Sequence, residues 1–148
     1  MLDDTDRRIL GELSADARLS MRKLAERVGV ALGTASTRVK RMEKLGVIRG
    51  YGVRLDPEKV GWSLTVIVGI RIAKGRLLEV QEKIAADRRV FGVYDVTGDV
   101  DSMILARLRD RRDLDHFTKN VLTMEGIERS FTHVVLNTVR EDDVVLAD

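Results

Sequence analysis

The stretch GTASTRVKRMEKLGVIRGY, residues 33–51, holds the side chains of this sequence best suited to chemistry. It gathers five Lys or Arg and three small hydroxyl residues, in a chain whose formal net charge is only +2. Wound as a helix at about 100° per residue, it places Gly33, Thr34, Thr37, Lys40, Arg41 and Lys44 on one face, with Arg38 at the flank. Leu32, Ala35, Val39 and Met42 fall on the opposite, apolar face. Short hydroxyl side chains near the helix start can approach base edges, and long cations near its end suit phosphates. A merely solvated helix face would need nothing specific around it, so the flanking elements decide between the two readings.

Those elements agree with one another. A first helix opens at Asp3 or Asp4, where DDTD sets carboxylates against the helix dipole, and Leu2, Ile9, Leu10 and Leu13 give it an apolar stripe. Ser14-Ala15-Asp16 begins a loop. Ser20 reads as the N-cap of a second helix carrying Met21, Leu24, Ala25 and Val28 at helical spacing. Val28-Gly29-Val30 is a tight turn with its glycine at the C-cap. The third, basic helix runs from Ala31 to Leu45 and stops at Gly46. Two short helices, a glycine turn and a basic last helix predict a helix-turn-helix whose third helix meets double-stranded DNA.

Charge placement supports a division into modules. Residues 1–50 hold 11 basic and 7 acidic side chains, whereas residues 51–148 hold 15 and 17. A basic half joined to a slightly acidic half predicts that only the first meets a polyanion. With 44% hydrophobic and 34% charged residues the chain is globular rather than disordered. The lack of cysteine excludes disulfides and cysteine-ligated metals, and suits a reducing cytosol. No apolar run approaches the roughly 18 residues of a membrane span, and MLDDTDRRIL starts acidic rather than as a signal peptide, so a cytoplasmic location is expected.

Val47 to Leu55 reads as a short extended joint closed by Asp56 and Pro57. Beyond it, strands are expected at Leu64–Ile72, Val90–Val96, Ser102–Leu108 and Phe131–Val139. Helices are expected over Gly75–Asp87, with Leu77, Val80, Ile84 and Ala85 inward, and over Asp113–Met124, with Leu114, Phe117, Val121 and Met124 inward. Thr97-Gly98-Asp99 reads as a tight hairpin turn. The order βαββαβ predicts a ferredoxin-like sandwich, making the whole chain α+β, with a winged-helix-like N-terminal domain. Several of its strands are apolar on both alternations, as in Leu64–Ile70, Met103–Ala106 and Val134–Leu136. Two helices cover one face only, so a second copy of the chain is expected on the other, giving a homodimer with two recognition helices. The expected divisions are residues 1–50 for the DNA-binding domain, 51–61 for the hinge, 62–140 for the sandwich and 141–148 for an acidic, solvated tail.

Taken together, LDDTDRRILGELSADARLS, MRKLAERVGVALGTASTRVKRMEKLGVIRGY and VYDVTGDVDSMI make the chain similar to the Lrp/AsnC, or feast/famine, transcriptional regulators over nearly its whole length. The resemblance implies dimers that assemble to tetramers, hexamers or octamers. It also implies a small effector, usually an amino acid, bound between subunits of the second domain and changing assembly and DNA affinity. It places Thr34, Ser36, Thr37, Arg38, Lys40 and Arg41 on the DNA-contacting helix, and Ser20, Arg22 and Lys23 where phosphates are touched. Gly98, Asp99 and Asp101 match the effector loop, and Thr132 lies on the strand that lines that site. The sequence departs from the pattern in two places. Ala31-Leu32-Gly33 replaces the Ser-Pro-Thr that commonly opens the recognition helix, removing a cap worth about 1 kcal/mol. Val100 stands where an aromatic residue is frequent.

In the effector loop, Asp99 or Asp101 could accept an ammonium group and backbone N–H groups could hold a carboxylate. His116 and His133 are the only histidines and read as structural or surface residues. No cofactor or metal is expected, and no nucleophile–base pair or phosphate-binding glycine loop is present. Two alternatives remain: a DNA-compacting architectural protein of low sequence specificity, and an enzyme resembling sirohaem decarboxylases that would use His116 or His133.

Overall fold

The computed structural model describes residues 1–147, which fall into two units. The first comprises Met1–Arg54 with the chain from Glu141 onward, and the second comprises Leu55–Arg140.

In the first unit, α1 (Asp4–Ala15) starts at a reciprocal cap in which Asp3 and Asp6 each accept the other's backbone N–H. α2 (Met21–Val28) starts at Ser20, whose hydroxyl accepts from the Lys23 amide at 3.1 Å. It ends at Gly29 in the left-handed region, φ 76°, a conformation that glycine adopts without cost. α3 (Leu32–Lys44) starts at Ala31 with no side-chain cap, as expected. Ile9, Leu24, Ala35 and Met42 have no solvent exposure, and Leu13, Val28 and Val39 close the core around them. Leu32 departs from expectation: it is 46% exposed and takes no part in that cluster. Residues from Glu141 return to this unit. Arg7 Nη1 donates to the Ala147 carbonyl at 2.8 Å, and Arg54 pairs with Asp143 at 3.2 Å.

The second unit begins with a 3-10 turn, Glu58–Val60, followed by β1 (Leu64–Ile72), α4 (Leu77–Ala85), β2 (Val90–Asp95), β3 (Ser102–Leu108), α5 (Arg111–Asn120) and β4 (Ile127–Val134). The strands form one sheet in the order β2-β3-β1-β4 with every neighbouring pair antiparallel, the expected βαββαβ sandwich. Val66, Val68 and Ile70 of β1 and Ile104, Ala106 and Leu108 of β3 pack against Val80 and Ile84 of α4, Phe117 of α5 and Val121 just beyond it.

Four segments differ from the sequence reading. β4 lies earlier, because its pairing with β1 runs from Ile72↔Ile127, across a bulge, to Val66↔Val134; Leu136 and Val139 beyond it are almost fully exposed. α5 starts earlier because Asp110 caps it, accepting from the Asp113 amide at 2.8 Å, and its regular turns end before Met124. α4 is shorter, and of its four expected inward residues only Val80 and Ile84 are buried, Leu77 and Ala85 being exposed. The tight turn at Thr97-Gly98-Asp99 is instead part of a longer loop, residues 96–101, closed by the Val96 amide on the Asp101 carbonyl at 3.3 Å.

Alternation along the strands puts Ile67 and Gly69 of β1, Met103 and Leu105 of β3, and Phe131 and His133 of β4 on the face that the helices leave open. Cations are interleaved there: the Arg107 guanidinium stacks on Phe91 at 3.9 Å and that of Arg129 on Phe131 at 4.7 Å. The open face is therefore apolar at its centre and cationic toward its edges.

Candidate nucleic-acid interface and effector loop

The geometry of α3 is set from behind by Asp6, which has no solvent exposure. Arg41 Nη2 donates to Asp6 Oδ2 at 2.6 Å, and Arg38 Nη1 donates to Asp6 Oδ1 at 3.2 Å. Arg38 also bonds the Asp3 carboxylate. That guanidinium, helped by the Asp6 amide, holds the Asp3 carboxyl below its ordinary range. Two of the cations expected at DNA are thus engaged with α1, where each contact is charge-assisted. They lie on the sides of α3 facing α1 while its far face stays free.

That far face carries Thr34, Thr37 and Lys40, all exposed, with Lys44 beyond them and Ser36 half-buried. The Ser20 hydroxyl is occupied by its cap. Arg22 is exposed at the start of α2, and Lys23 makes an exposed contact with Glu26 at 3.3 Å. Among the described residues, Arg22, Lys40 and Lys44 have no carboxylate partner in the first unit, so their charge remains available to an anion. Asp6, which positions α3, is absent from the residues the sequence reading singles out. Its signal was spacing, since it falls in the apolar stripe with Leu2, Ile9 and Leu13, where a carboxylate has to be paired.

In the second unit, loop 96–101 is held on β1. The Asp101 amide donates to the Ile70 carbonyl at 2.9 Å, and its carboxylate accepts from the Ile72 amide at 2.7 Å, beside the β1 bulge. Arg71 Nε donates to the Asp99 carbonyl at 2.9 Å. Val100 fits over Gly69, where a Cβ would lie 3.1 Å from Val100 Cγ1. Gly98 takes φ 113°, inside the left-handed half of the map. Asp101 thus anchors the loop, and the exposed Asp99 carboxylate has no partner among the described residues. Thr132 stands apart: it pairs with Val68, so it lies on the helix side of the sheet, while Val100 covers the open side.

The two histidines do not meet. His116 Nδ1 accepts from Arg89 Nη1 at 3.1 Å on α5, whereas His133 pairs with Ile67 on the open face. No group of metal-ligating side chains occurs among the described residues, and no described helix is long and apolar enough to cross a membrane.

Residues 2–49 match the winged helix-turn-helix DNA-binding family, and residues 65–145 match the Lrp/AsnC ligand binding domain. An HTH-type transcriptional regulator of Pyrococcus abyssi is 43% identical over 96% of this chain and 97% of its own length. Among solved structures, AsnC of Escherichia coli superposes with a TM-score of 0.91 at 26% identity, covering 97% of this chain and 98% of that one. A feast or famine regulatory protein from Mycobacterium tuberculosis, complexed with L-methionine, has a TM-score of 0.87 at 30% identity, covering 99% of this chain and 100% of that one.

Asp6→Ala removes the acceptor for two guanidinium groups and is expected to lower stability by about 2 kcal/mol, read by thermal melts of the full chain followed by circular dichroism. An unchanged melt would show that the clamp adds nothing. The pH dependence follows from Asp3. Its native carboxyl is held low, so its contribution is present above the ordinary carboxylate value of about 4 and is lost as pH falls through the lower native value. Melts of Asp3→Asn should lose that acid-side slope.

Proposed function

The chain belongs to the Lrp/AsnC family of helix-turn-helix transcriptional regulators, with a ligand-binding domain, and on that basis we propose that it binds specific DNA sites as a homodimer whose affinity an amino acid adjusts. The observation that carries the DNA reading is the division of labour on α3: Arg38 and Arg41 hold the helix while Thr34, Thr37, Lys40 and Lys44 present hydroxyls and free charge outward. A rigid helix with small groups near its start and cations further on fits reading of the major groove with phosphates at its border. Arg22 and Lys23, at the start of α2, extend the phosphate contacts.

The open face of the sandwich supports the dimer. Ile67, Met103 and Leu105 are half-buried at its centre, and Phe91 and Tyr94 are 41% and 52% exposed. A sheet face of this kind gains by burial against a second copy, at roughly 25 cal/mol per Å². The effector reading rests on Asp99, an exposed carboxylate on a loop that Asp101, Arg71 and Val100 hold in place. It suits the ammonium of an α-amino acid, and L-methionine, bound by the M. tuberculosis relative, is the first ligand to try. Larger assemblies of dimers would turn small changes in assembly energy into large changes in avidity for spaced sites.

Fluorescence anisotropy on DNA from upstream of the protein's own gene, against scrambled DNA of equal length, tests the central claim. Tighter binding to the upstream DNA is expected, falling steeply as salt rises. Equal binding to both would favour an architectural role. Lys40→Ala should weaken binding and reduce the salt slope by about 1 without altering the melt. Leu105→Lys should convert the dimer to a monomer in sedimentation velocity; a variant that still sediments as a dimer would place the interface elsewhere. Asp99→Asn should leave DNA binding intact in the absence of amino acid and abolish the response to it.

A further inference from the structure

A cleft of about 660 Å³ lies at the end of the sandwich where β1 starts, β2 starts and β3 ends. Loop 96–101 joins the end of β2 to the start of β3, so it occupies the other end of the sheet. The cleft walls bring together Trp62, Arg88, Arg89, Arg109, Arg112 and His116. A hydrogen bond from the Ser63 hydroxyl to the Arg109 carbonyl ties two sides of the rim.

Four guanidinium groups at one cleft call for anions, and the carboxylates on the walls are already engaged. Asp87 takes Arg89 through both oxygens, at 2.9 and 2.7 Å. Asp113 accepts Arg89 Nη1 at 2.9 Å on one oxygen and the Arg109 amide at 2.9 Å on the other. Asp110 is committed to capping α5. The Arg89 guanidinium holds the Asp87 carboxyl below its ordinary range. Burial pushes the Asp113 carboxyl up, but the Arg109 amide and the Arg89 guanidinium outweigh it, and the carboxyl stays low. Both acids are therefore charged at neutral pH and turned toward Arg89, whose side chain is only 11% exposed.

The remaining cations have no such partner. Among the described residues Arg88 and Arg112 pair with no carboxylate, and Arg109, 72% exposed, reaches Asp113 only at 3.5 Å. Arg88 lies over the Trp62 ring at 5.8 Å from its centre, so cationic and flat apolar surface adjoin. His116 is oriented by accepting the Arg89 N–H on Nδ1, which leaves Nε2 as a donor when the ring is neutral.

We propose that this cleft binds a small phosphorylated molecule bearing a planar ring, of the nucleoside monophosphate type. A phosphate has the charge and the acceptor oxygens to occupy two or three guanidinium groups at once, which a single carboxylate lacks. A ring laid on Trp62 gains stacking energy beside it. The volume falls in the range of small-ligand pockets, roughly 300–1,000 Å³. The site shares no residue with loop 96–101, so it would give the sandwich an input separate from an amino acid.

Trp62 is the only tryptophan, so its fluorescence reports on the cleft directly. The full chain is titrated with each of the four common ribonucleoside monophosphates, with adenosine and with inorganic phosphate. At least one monophosphate should quench Trp62 saturably with a Kd below about 1 mM, and adenosine and phosphate should each bind at least about tenfold more weakly. Arg88→Ala and Arg112→Ala should each weaken that binding about tenfold with unchanged circular dichroism, and Asp99→Asn should leave it unchanged. Calorimetry on Trp62→Phe provides a second readout, expected to show weaker binding without loss of fold. Absence of saturable binding by every monophosphate would overturn the assignment. So would equal affinity for phosphate alone, or indifference to both arginine substitutions.

Discussion

Asp6 has no contact with water, so its charge must be satisfied inside the three-helix unit, and the rest of that unit is arranged around this requirement. Its carboxylate accepts from Arg41 and Arg38 of α3 and, at the start of α1, from the Asp3 amide. One acidic side chain therefore fixes both the cap of α1 and the rotation of α3 about its own axis. A hydrophobic core alone tolerates sliding of one helix over another by a fraction of a turn. Two directional charge-assisted bonds from residues three apart tolerate it far less. The outward face of α3 inherits its orientation from that inward one.

The second unit uses side-chain charge to satisfy backbone groups rather than a buried side chain. The β1–β3 ladder ends at Ile70↔Ser102, and beyond that end the Ile72 amide finds its acceptor in the Asp101 carboxylate. Arg71, just before the bulge, holds the Asp99 carbonyl, and Val100 settles over the bare backbone of Gly69. The end of a ladder on a central strand thus becomes the seat of a loop, and the loop's one uncommitted carboxylate is displayed on a fixed support. At the opposite end of the sheet, Arg89 plays the corresponding part by drawing in Asp87 and Asp113, so that the arginines around it face open space.

Much of this was legible in the amino-acid sequence, for identifiable reasons. Ser20, Gly29 and Gly46 mark helix ends by local chemistry that tertiary structure had no cause to override. The order of strands and helices followed from periodicity, and the helix-turn-helix from the agreement of caps, stripes and charge. What periodicity does not encode is which partner a side chain chooses. Arg38 and Arg41 look the same to a helical wheel whether they face solvent or a buried carboxylate 32 and 35 residues earlier in the chain. Val134-Val135-Leu136 is as strand-like as Ile127–Val134, and only the pairing with β1 decides where β4 lies. Gly98-Asp99 suits a tight turn and a longer loop alike, and the anchoring by Asp101 depends on β1, 29 residues earlier.

The hydrogen bond from Arg7 to the Ala147 carbonyl joins residues 140 positions apart. During synthesis the three helices leave the ribosome first and the segment from Glu141 joins them only after the entire sandwich has emerged. The helical unit must hold its shape for that interval on its own core and on the Asp6 clamp. The late segment is held by exposed contacts that close a very long loop, so it is the part of the unit that proteases and mild denaturants reach before any other.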